Sequence, residues 1–367
     1  MNNVRSSVEE AVAAVASGEM VVVVDDDDRE NEGDLIMAAS LATPEQVAFM
    51  IRHTSGILCT PITLEFARRL RLDPMVTMND APLGTAFTVS VDYRYGLTTG
   101  ISAEERCNTV RALANANAGA EDFVRPGHIF PLIAREGGVL IRSGHTEAGV
   151  DLARMAKQPP VGLLAELVND DGSVKRGREV SEFAQEHGLK IISVADLIAY
   201  RQRREQLVRR VNEFSVVTSA GTARGLAFAT PFDPVQHLAL VFGNVRDAKG
   251  VPTRLHRESI LGDVFGDKAG ISAAMAEFKS EGRGVLVYLR EGSAGVPSSG
   301  LQDSGPEAAG EGAASEAVRA ELWREVGLGA QILRDLGVSS IKLLASRERQ
   351  YVGLAGFGIE IEETKII

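Results

Sequence analysis

Cysteine is nearly absent from this chain of 367 residues, which carries only Cys59 and Cys107. Two thiols cannot staple a domain, so a disulfide framework is excluded and both are read as reduced, buried, structural residues. No apolar run approaches the roughly 20 residues that a membrane helix needs, so no membrane partner is expected. The N-terminal stretch lacks the basic start, apolar core and small-residue cleavage site of a secretory signal, which points to the cytoplasm. An excess of positive charge is also missing: the formal net charge is -11, which argues against nucleic acid as the main partner. What is present, 44% hydrophobic and 24% charged residues, describes an ordinary globular protein. Its length exceeds the usual size of one hydrophobic core, so two domains are expected.

The most informative stretch begins with four valines, Val21 to Val24, which read as an interior strand. It is followed by Asp25 to Asp28, Arg29, Glu30, Asn31, Glu32, Gly33 and Asp34, a run of seven acids in ten positions. Repulsion on that scale needs counter-charge, water or a cation, and Arg29 alone cannot supply it. An arbitrary acidic run is usually a solvated turn. Here Leu35 to Ala39 resumes an apolar segment at once, which pins the carboxylates between two core elements. Hard divalent cations take oxygen ligands and commonly use one or two carboxylates plus substrate oxygens. The run therefore points to an Mg2+ or Mn2+ site for a phosphosugar, with Asp25 to Asp28 as its solvated or hydrogen-bonded exit from the strand.

Helical and strand patterns alternate along the chain, so the fold class is α/β (α+β), mixed in both halves. Val8 to Ala16 reads as a helix closed by Gly18, and Pro44 to Arg52 as a helix capped by Thr43. Strands are expected over Phe87 to Asp92, His128 to Leu132 and Gly138 to Arg142. Asp196 to Arg210 reads as a long helix with five arginines, Arg201, Arg203, Arg204, Arg209 and Arg210. Gly221 to Thr230 opens a strand-rich region, which places domains at 1–210 and 211–367. Gly292 to Ala314, rich in Gly, Ser, Pro, Ala and Glu, suits a flexible surface loop.

A second constellation comprises Arg142, Ser143, Gly144, His145, Thr146 and Glu147, opening a helix with Val150, Leu152, Ala153 and Ala156 as its apolar face. Unpaired N–H groups and the dipole at a helix start make a phosphate site, and Arg142 adds a bidentate donor. His145 can donate to substrate or bind metal. Arg125 to His128 reads as a tight turn, with His128 a candidate acid or base. Glu166 closes the apolar run Val161 to Leu164, where burial can raise a carboxyl pKa.

The succession DDDDRENEGDL, RHTSGILC, FTVSVD, TTGISAEER, RPGHIFPL and RSGHTEAGVDLA, over residues 1 to about 205, resembles 3,4-dihydroxy-2-butanone 4-phosphate synthase of riboflavin biosynthesis. Thr54 departs from the Gly usual in that family. The resemblance implies a lyase that converts D-ribulose 5-phosphate into L-3,4-dihydroxy-2-butanone 4-phosphate and formate, the formate coming from C4. It implies Glu30 and His145 as metal ligands. Arg29, Glu30, Asp34, Arg142, Ser143, Gly144, His145, Thr146 and Glu166 are the substrate contacts it implies. His128 and Glu166 match positions essential for catalysis, and Glu32, Asp34 and Glu166 are all candidates for taking the first proton. Family members are homodimers with sites at the interface, which brings Thr98, Thr99 and Ser102 in from the neighbouring chain.

From about 212 to 367, RLHRESILGDVFGD, GVLVYLREG and GLGAQILRDLGVSSIKLL resemble GTP cyclohydrolase II. That family holds zinc on three Cys thiolates, and this half has no cysteine. Ser259 occupies the first ligand position, and the segment for the other two is shortened to Lys268, Ala269 and Gly270. Ser293 stands where the phosphate loop has Arg, and Leu322 and Val326 replace Asp and Tyr around Arg324. The EGRG of Glu281 to Gly284 precedes a strand and is a decoy. The expectation is no zinc and no cyclohydrolase activity, leaving a structural or regulatory module. The alternatives are a domain that still binds a nucleotide through Arg254, His256 and Glu258, or a synthase-like pseudoenzyme scaffold throughout.

Overall fold

The computed structural model describes residues 6–25, 32–81, 84–231, 233–259, 261–266, 269–290, 327–346 and 359–367. Arg29, Glu30, Asp26 to Asp28, Lys268, Ser293, Leu322, Arg324, Val326 and the Gly292 to Ala314 stretch lie outside them. Among the described residues, no helix is long and apolar enough to cross a membrane. Contacts divide the chain into two compact units, with the change falling between Tyr200 and Arg201.

The first unit is built on a mixed sheet of seven strands: β1 Val21–Val24, β2 Gly33–Ala38, β3 Cys59–Ile62, β4 Val91–Tyr93, β5 Phe123–Ile133, β6 Gly162–Glu166 and β7 Lys190–Ser193, in the order β4-β5-β3-β6-β2-β1-β7. β1 runs antiparallel to β2 and parallel to β7, so its valines are flanked by strands on both sides. Val21, Val22 and Val23 are fully buried, each removed from water by about 1.5–3 kcal/mol of apolar transfer. Seven helices join the strands: α1 Val8–Ala16, α2 Pro44–His53, α3 Leu64–Leu70, α4 Ala103–Ala114, α5 His145–Met155, α6 Arg178–Glu186 and α7 Val194–Arg204. α1 begins in a reciprocal cap between Ser7 and Glu10, and α2 in one between Thr43 and Gln46, each satisfying two otherwise orphaned amide groups.

Several local expectations fail, three of them for identifiable reasons. Gly138 to Arg142 is not a strand but a 3-10 turn over Gly138–Leu140. Gly137 and Gly138 have positive φ, and the Val139 amide is taken by the Asp151 carboxylate at 2.9 Å instead of a neighbouring strand. Arg125 to His128 is not a turn, because β5 runs through it. Pro126 cannot donate to a ladder, and Gly127 lies where a Cβ would strike the backbone of Val91, so a register shift against β4 absorbs both. The basic helix stops at Arg204, and Arg209 and Arg210 belong to the next strand. Gln331 accepts from the Leu207 amide and donates to the carbonyls of Gln202 and Glu205, which diverts the backbone there.

The second unit has its own seven strands: β8 Arg209–Thr218, β9 Gly221–Thr230, β10 Asp233–Phe242, β11 Val251–Arg257, β12 Gly284–Leu289, β13 Ser340–Ala345 and β14 Glu360–Ile366, ordered β14-β13-β11-β12-β10-β9-β8. β8, β9, β10 and β12 form an antiparallel run, whereas β12, β11, β13 and β14 are parallel. α8 Ala269–Glu281 packs Ala274, Met275 and Phe278 into a core with Phe242 and Leu286. Both units are therefore mixed α and β.

Candidate active site

The end of β1 hands the chain to the acidic segment, and the start of β2 takes it back. Asp25 is buried; its Oδ1 accepts the Glu32 amide at 2.9 Å, and its own amide donates to the Glu32 carbonyl at 3.3 Å. Of the two readings for Asp25, the hydrogen-bonded one holds. Two residues on, Asp34 is buried opposite Val23 on one side and Glu166 on the other. Glu166 ends β6, half-buried, and its Oε2 accepts from the Ser55 hydroxyl at 2.7 Å.

α5 points its N-terminus at this end of the sheet. His145, its first residue, lies with Nε2 3.1 Å from the Val23 carbonyl oxygen and Nδ1 3.8 Å from Asp34 Oδ2. A carbonyl only accepts, so Nε2 carries the proton and Nδ1 is the atom that faces the carboxylate. Gly144 caps α5 without a side chain, and a Cβ there would strike the Arg142 guanidinium. The first turn of α5 and the Arg142 guanidinium therefore lie against each other, with Ser143 half-buried and Thr146 buried beside them.

Glu147 had no assigned role, and it orients Arg142. Its Oε2 binds Arg142 Nη1 at 2.7 Å and its Oε1 accepts the Arg135 amide at 2.9 Å. Burial pushes its carboxyl above the usual range, and the Arg142 cation only partly offsets this. A carboxylate in the first turn of a helix beside Arg was the available signal.

His128 is held differently. Its Nδ1 lies 2.7 Å from Asp92 Oδ2, and its amide donates to Asp92 Oδ1 at 2.8 Å. Asp92 is buried, so the imidazole is locked with Nδ1–H on the carboxylate and Nε2 left off it. Gly100, with φ +81, passes so close that any Cβ would hit this pair. Asp92 is the second residue missed; the strand expected over Phe87 to Asp92 is a strand only from Val91, with isolated bridges at Phe87 and Thr88, and the partner of Asp92 36 residues away was not visible. His128 shares the sheet end with Glu166 and Asp34, since Cys59 pairs with both Phe130 and Leu164. One strand, β3, lies between β5 and β6, so His128 stands about 10 Å from Glu166 at ~4.8 Å per strand spacing. Asp34, His145 and Glu166 are thus gathered at one place, and His128 is not gathered with them. Thr98 and Thr99 are exposed next to Gly100. Glu105 ties Thr98 to Ser102, accepting from the Thr98 amide and hydroxyl at 2.6 and 2.8 Å and from the Ser102 hydroxyl at 2.9 Å.

Both cysteines are buried thiols. Burial pushes each thiol pKa up, as inert structural cysteines require.

In the second unit the corresponding polar groups close on one another. Asp263 accepts from His256 Nε2 at 2.9 Å, the Tyr288 hydroxyl at 2.6 Å and the Ser259 amide at 2.9 Å. Burial opposes its ionisation, but these three donors prevail and hold its carboxyl below the usual range. Burial, then the bond to Asp263, pushes the Tyr288 hydroxyl pKa up. Arg254 donates to the Leu344 carbonyl and the Ser346 hydroxyl, and Glu258 pairs with Arg290 at 3.3 Å. Ala269 and Gly270 start α8.

A family model for 3,4-dihydroxy-2-butanone 4-phosphate synthase matches residues 9–200, and one for GTP cyclohydrolase II matches residues 209–365. This chain belongs to the 3,4-dihydroxy-2-butanone 4-phosphate synthase family. Its first unit is a synthase domain, and the chain is an enzyme of riboflavin biosynthesis. It is 47% identical to the monofunctional riboflavin biosynthesis protein RIBA 2, chloroplastic, of Arabidopsis thaliana, over 97% of this chain and 76% of the relative. It resembles the crystal structure of RibBX, a two-domain 3,4-dihydroxy-2-butanone 4-phosphate synthase from A. baumannii, at TM-score 0.82 and 39% identity, covering 98% of this chain and 99% of the other. The synthase domain also resembles a 3,4-dihydroxy-2-butanone 4-phosphate synthase solved in complex with two magnesium ions, at TM-score 0.53 and 45% identity, over 54% of this chain and 98% of that one.

Proposed function

We propose that the synthase domain converts D-ribulose 5-phosphate into L-3,4-dihydroxy-2-butanone 4-phosphate and formate, and that the second unit lacks GTP cyclohydrolase II activity. The observation that carries the first part is the meeting of Asp34, His145 and Glu166 in front of the open N-terminus of α5. The products contain the atoms of the substrate, so the reaction needs no redox group. It needs a phosphate anchor, proton transfers and support for an enediolate.

The α5 N-terminus with Arg142, Ser143 and Thr146 provides the anchor, and Glu147 keeps the guanidinium in place. One carboxylate of Glu32, Asp34 and Glu166 removes the first proton. His128, locked on Asp92, passes later protons through Nε2. Ile57, level with His128 across the β3–β5 pairing, and Ile101, next to the Gly100 that packs on His128, expose apolar side chains. Exposed apolar side chains there suit a second copy of the chain, which would bring His128, Thr98, Thr99 and Ser102 to the partner's Asp34 cluster. Sedimentation at micromolar concentration reads this directly, and a monomer that retains full activity would refute it.

Among the described residues, no group of three or more acidic, His or Cys side chains is arranged as a metal site. Yet the donors fit a hard divalent ion: His145 presents Nδ1, with its other nitrogen held by a backbone carbonyl as metal-ligating histidines usually are, and Asp34 faces it. Glu30 and His145 would hold Mg2+ or Mn2+, which when bound acts as a Lewis acid on vicinal sugar oxygens. The magnesium complex of the similar synthase supports this choice. Formate release from ribulose 5-phosphate, assayed with Mg2+ and with EDTA, is the test; activity indifferent to chelation would remove the metal from the reading.

For the second unit, supporting observations are the serine at position 259, the absence of cysteine and the closed Asp263 network. Arg254, His256 and Glu258, the residues proposed for retained nucleotide binding, each spend polar atoms on internal partners. Titration calorimetry with GTP decides the matter, since heat of binding at millimolar ligand would favour the nucleotide-binding alternative.

A further inference from the structure

Seven acids within ten positions need more positive charge than Arg29 brings. The fold supplies it from 144 residues away: Arg176 Nη2 lies 3.0 Å from Glu32 Oε1. This is not a chance surface pair. Beyond Glu166 the chain forms a hairpin in which Val168 bridges Val174, and its turn is tied by Asp171 to the Ser173 amide and by Lys175 to Asn169. The hairpin lays the backbone of Arg176 antiparallel to that of Glu32. From the other side Glu32 donates its amide to Asp25. α6 then presses Val180 so close to Gly33 that a Cβ there would lie 2.5 Å from Cγ1. Glu32 is consequently held by a buried carboxylate, a backbone bridge and a cation, one residue from the packed glycine and two from Asp34.

We infer that Arg176 is a positioning residue for the synthase reaction, fixing the Glu32 carboxylate beside the Asp34–Glu166 strand pair. This rests on the proposed reaction, in which Glu32 is a candidate proton acceptor. Arg176 itself is 59% exposed and the glutamate 18%, and an ion pair so open to water adds little to folding stability. Its effect belongs in the rate, because a reacting group displaced by about 1 Å loses up to ~100-fold. Arginine suits the task, since its rigid fork holds a carboxylate in one orientation while lysine offers only a mobile point charge.

The experiment compares wild type, Arg176→Gln and Arg176→Lys in the full-length chain, by formate release and by amide hydrogen exchange at Glu32. Arg176→Gln should lower kcat about tenfold with KM within about twofold, and speed exchange at Glu32. Arg176→Lys should recover at least about a third of wild-type kcat. Wild-type kcat in Arg176→Gln, or equal losses in both variants, would overturn the assignment. If wild type itself releases no formate, the reaction is what fails, and exchange still decides Arg176: a Glu32 amide equally protected in Arg176→Gln sinks it.

Discussion

Each unit of this chain carries a histidine on a strand fastened to an aspartate, and the two pairs end differently. In the synthase domain Asp92 takes both the ring Nδ1–H and the amide of His128, which leaves Nε2 facing outward. In the second unit Asp263 binds His256 through Nε2 and also accepts from the Tyr288 hydroxyl and the Ser259 amide. The first histidine side chain is 40% exposed, and the second, tied into a cluster of four residues, is 13% exposed. A polar cluster is thus informative about function less through its residue types than through where its last donor or acceptor points.

Variants on the two sides should separate cleanly. Asp34→Asn or His145→Ala is expected to cut formate release by about 1,000-fold, the scale of removing an acid–base or metal-holding group. Asp263→Asn, which disturbs the second cluster, should leave the rate within about twofold. A comparable loss from Asp263→Asn would erase the contrast. Next in size, Asp92→Asn should cost about 100-fold by releasing the His128 tautomer. The double variant with His128→Asn should cost little more than His128→Asn alone, because the two act as a unit. Additive losses would mean that Asp92 works by another route.

Much of this was legible in the sequence. The helix over Val8–Ala16 and the strand over Val21–Val24 fall where capping and β-branched runs place them. The RSGHTE segment does open a helix, and Glu166 does end a strand. What spacing could not give was partners. Asp92 finds His128, Arg176 finds Glu32 and Gln331 finds Leu207 only through strand register and packing across 36, 144 and 124 residues. The failed strand at Gly138 to Arg142 has the same origin, since Asp151 on α5 claims the amide that a strand neighbour would have taken.

If the Asp263 network is architecture, its loss should appear in stability and not in turnover. Tyr288→Phe removes one donor to a carboxylate that keeps two others, a change of about 1 kcal/mol. Urea unfolding should read that loss while formate release stays at the wild-type rate. A catalytic defect in this variant would count against the second unit being chemically silent.

The smallest expected effect lies at the rim of the His128 site. Glu105 is half-buried, and the Thr98 amide, then the Thr98 and Ser102 hydroxyls, lower its carboxyl pKa to about 2. A carboxyl depressed in the folded chain stabilises it above its ordinary pKa near 4.5, and that contribution is lost as the pH falls toward 2. Other depressed carboxyls, such as Asp171 and Glu277, follow the same sign, so only a difference isolates Glu105. Wild type should therefore melt above Glu105→Gln at pH 6, with the gap narrowing by pH 3 and closing only below about pH 2. Water still reaches this rim and screens the charge, and the gap should be small. A gap that stays constant across that range would mean that Thr98 and Ser102 hold this rim without the charge.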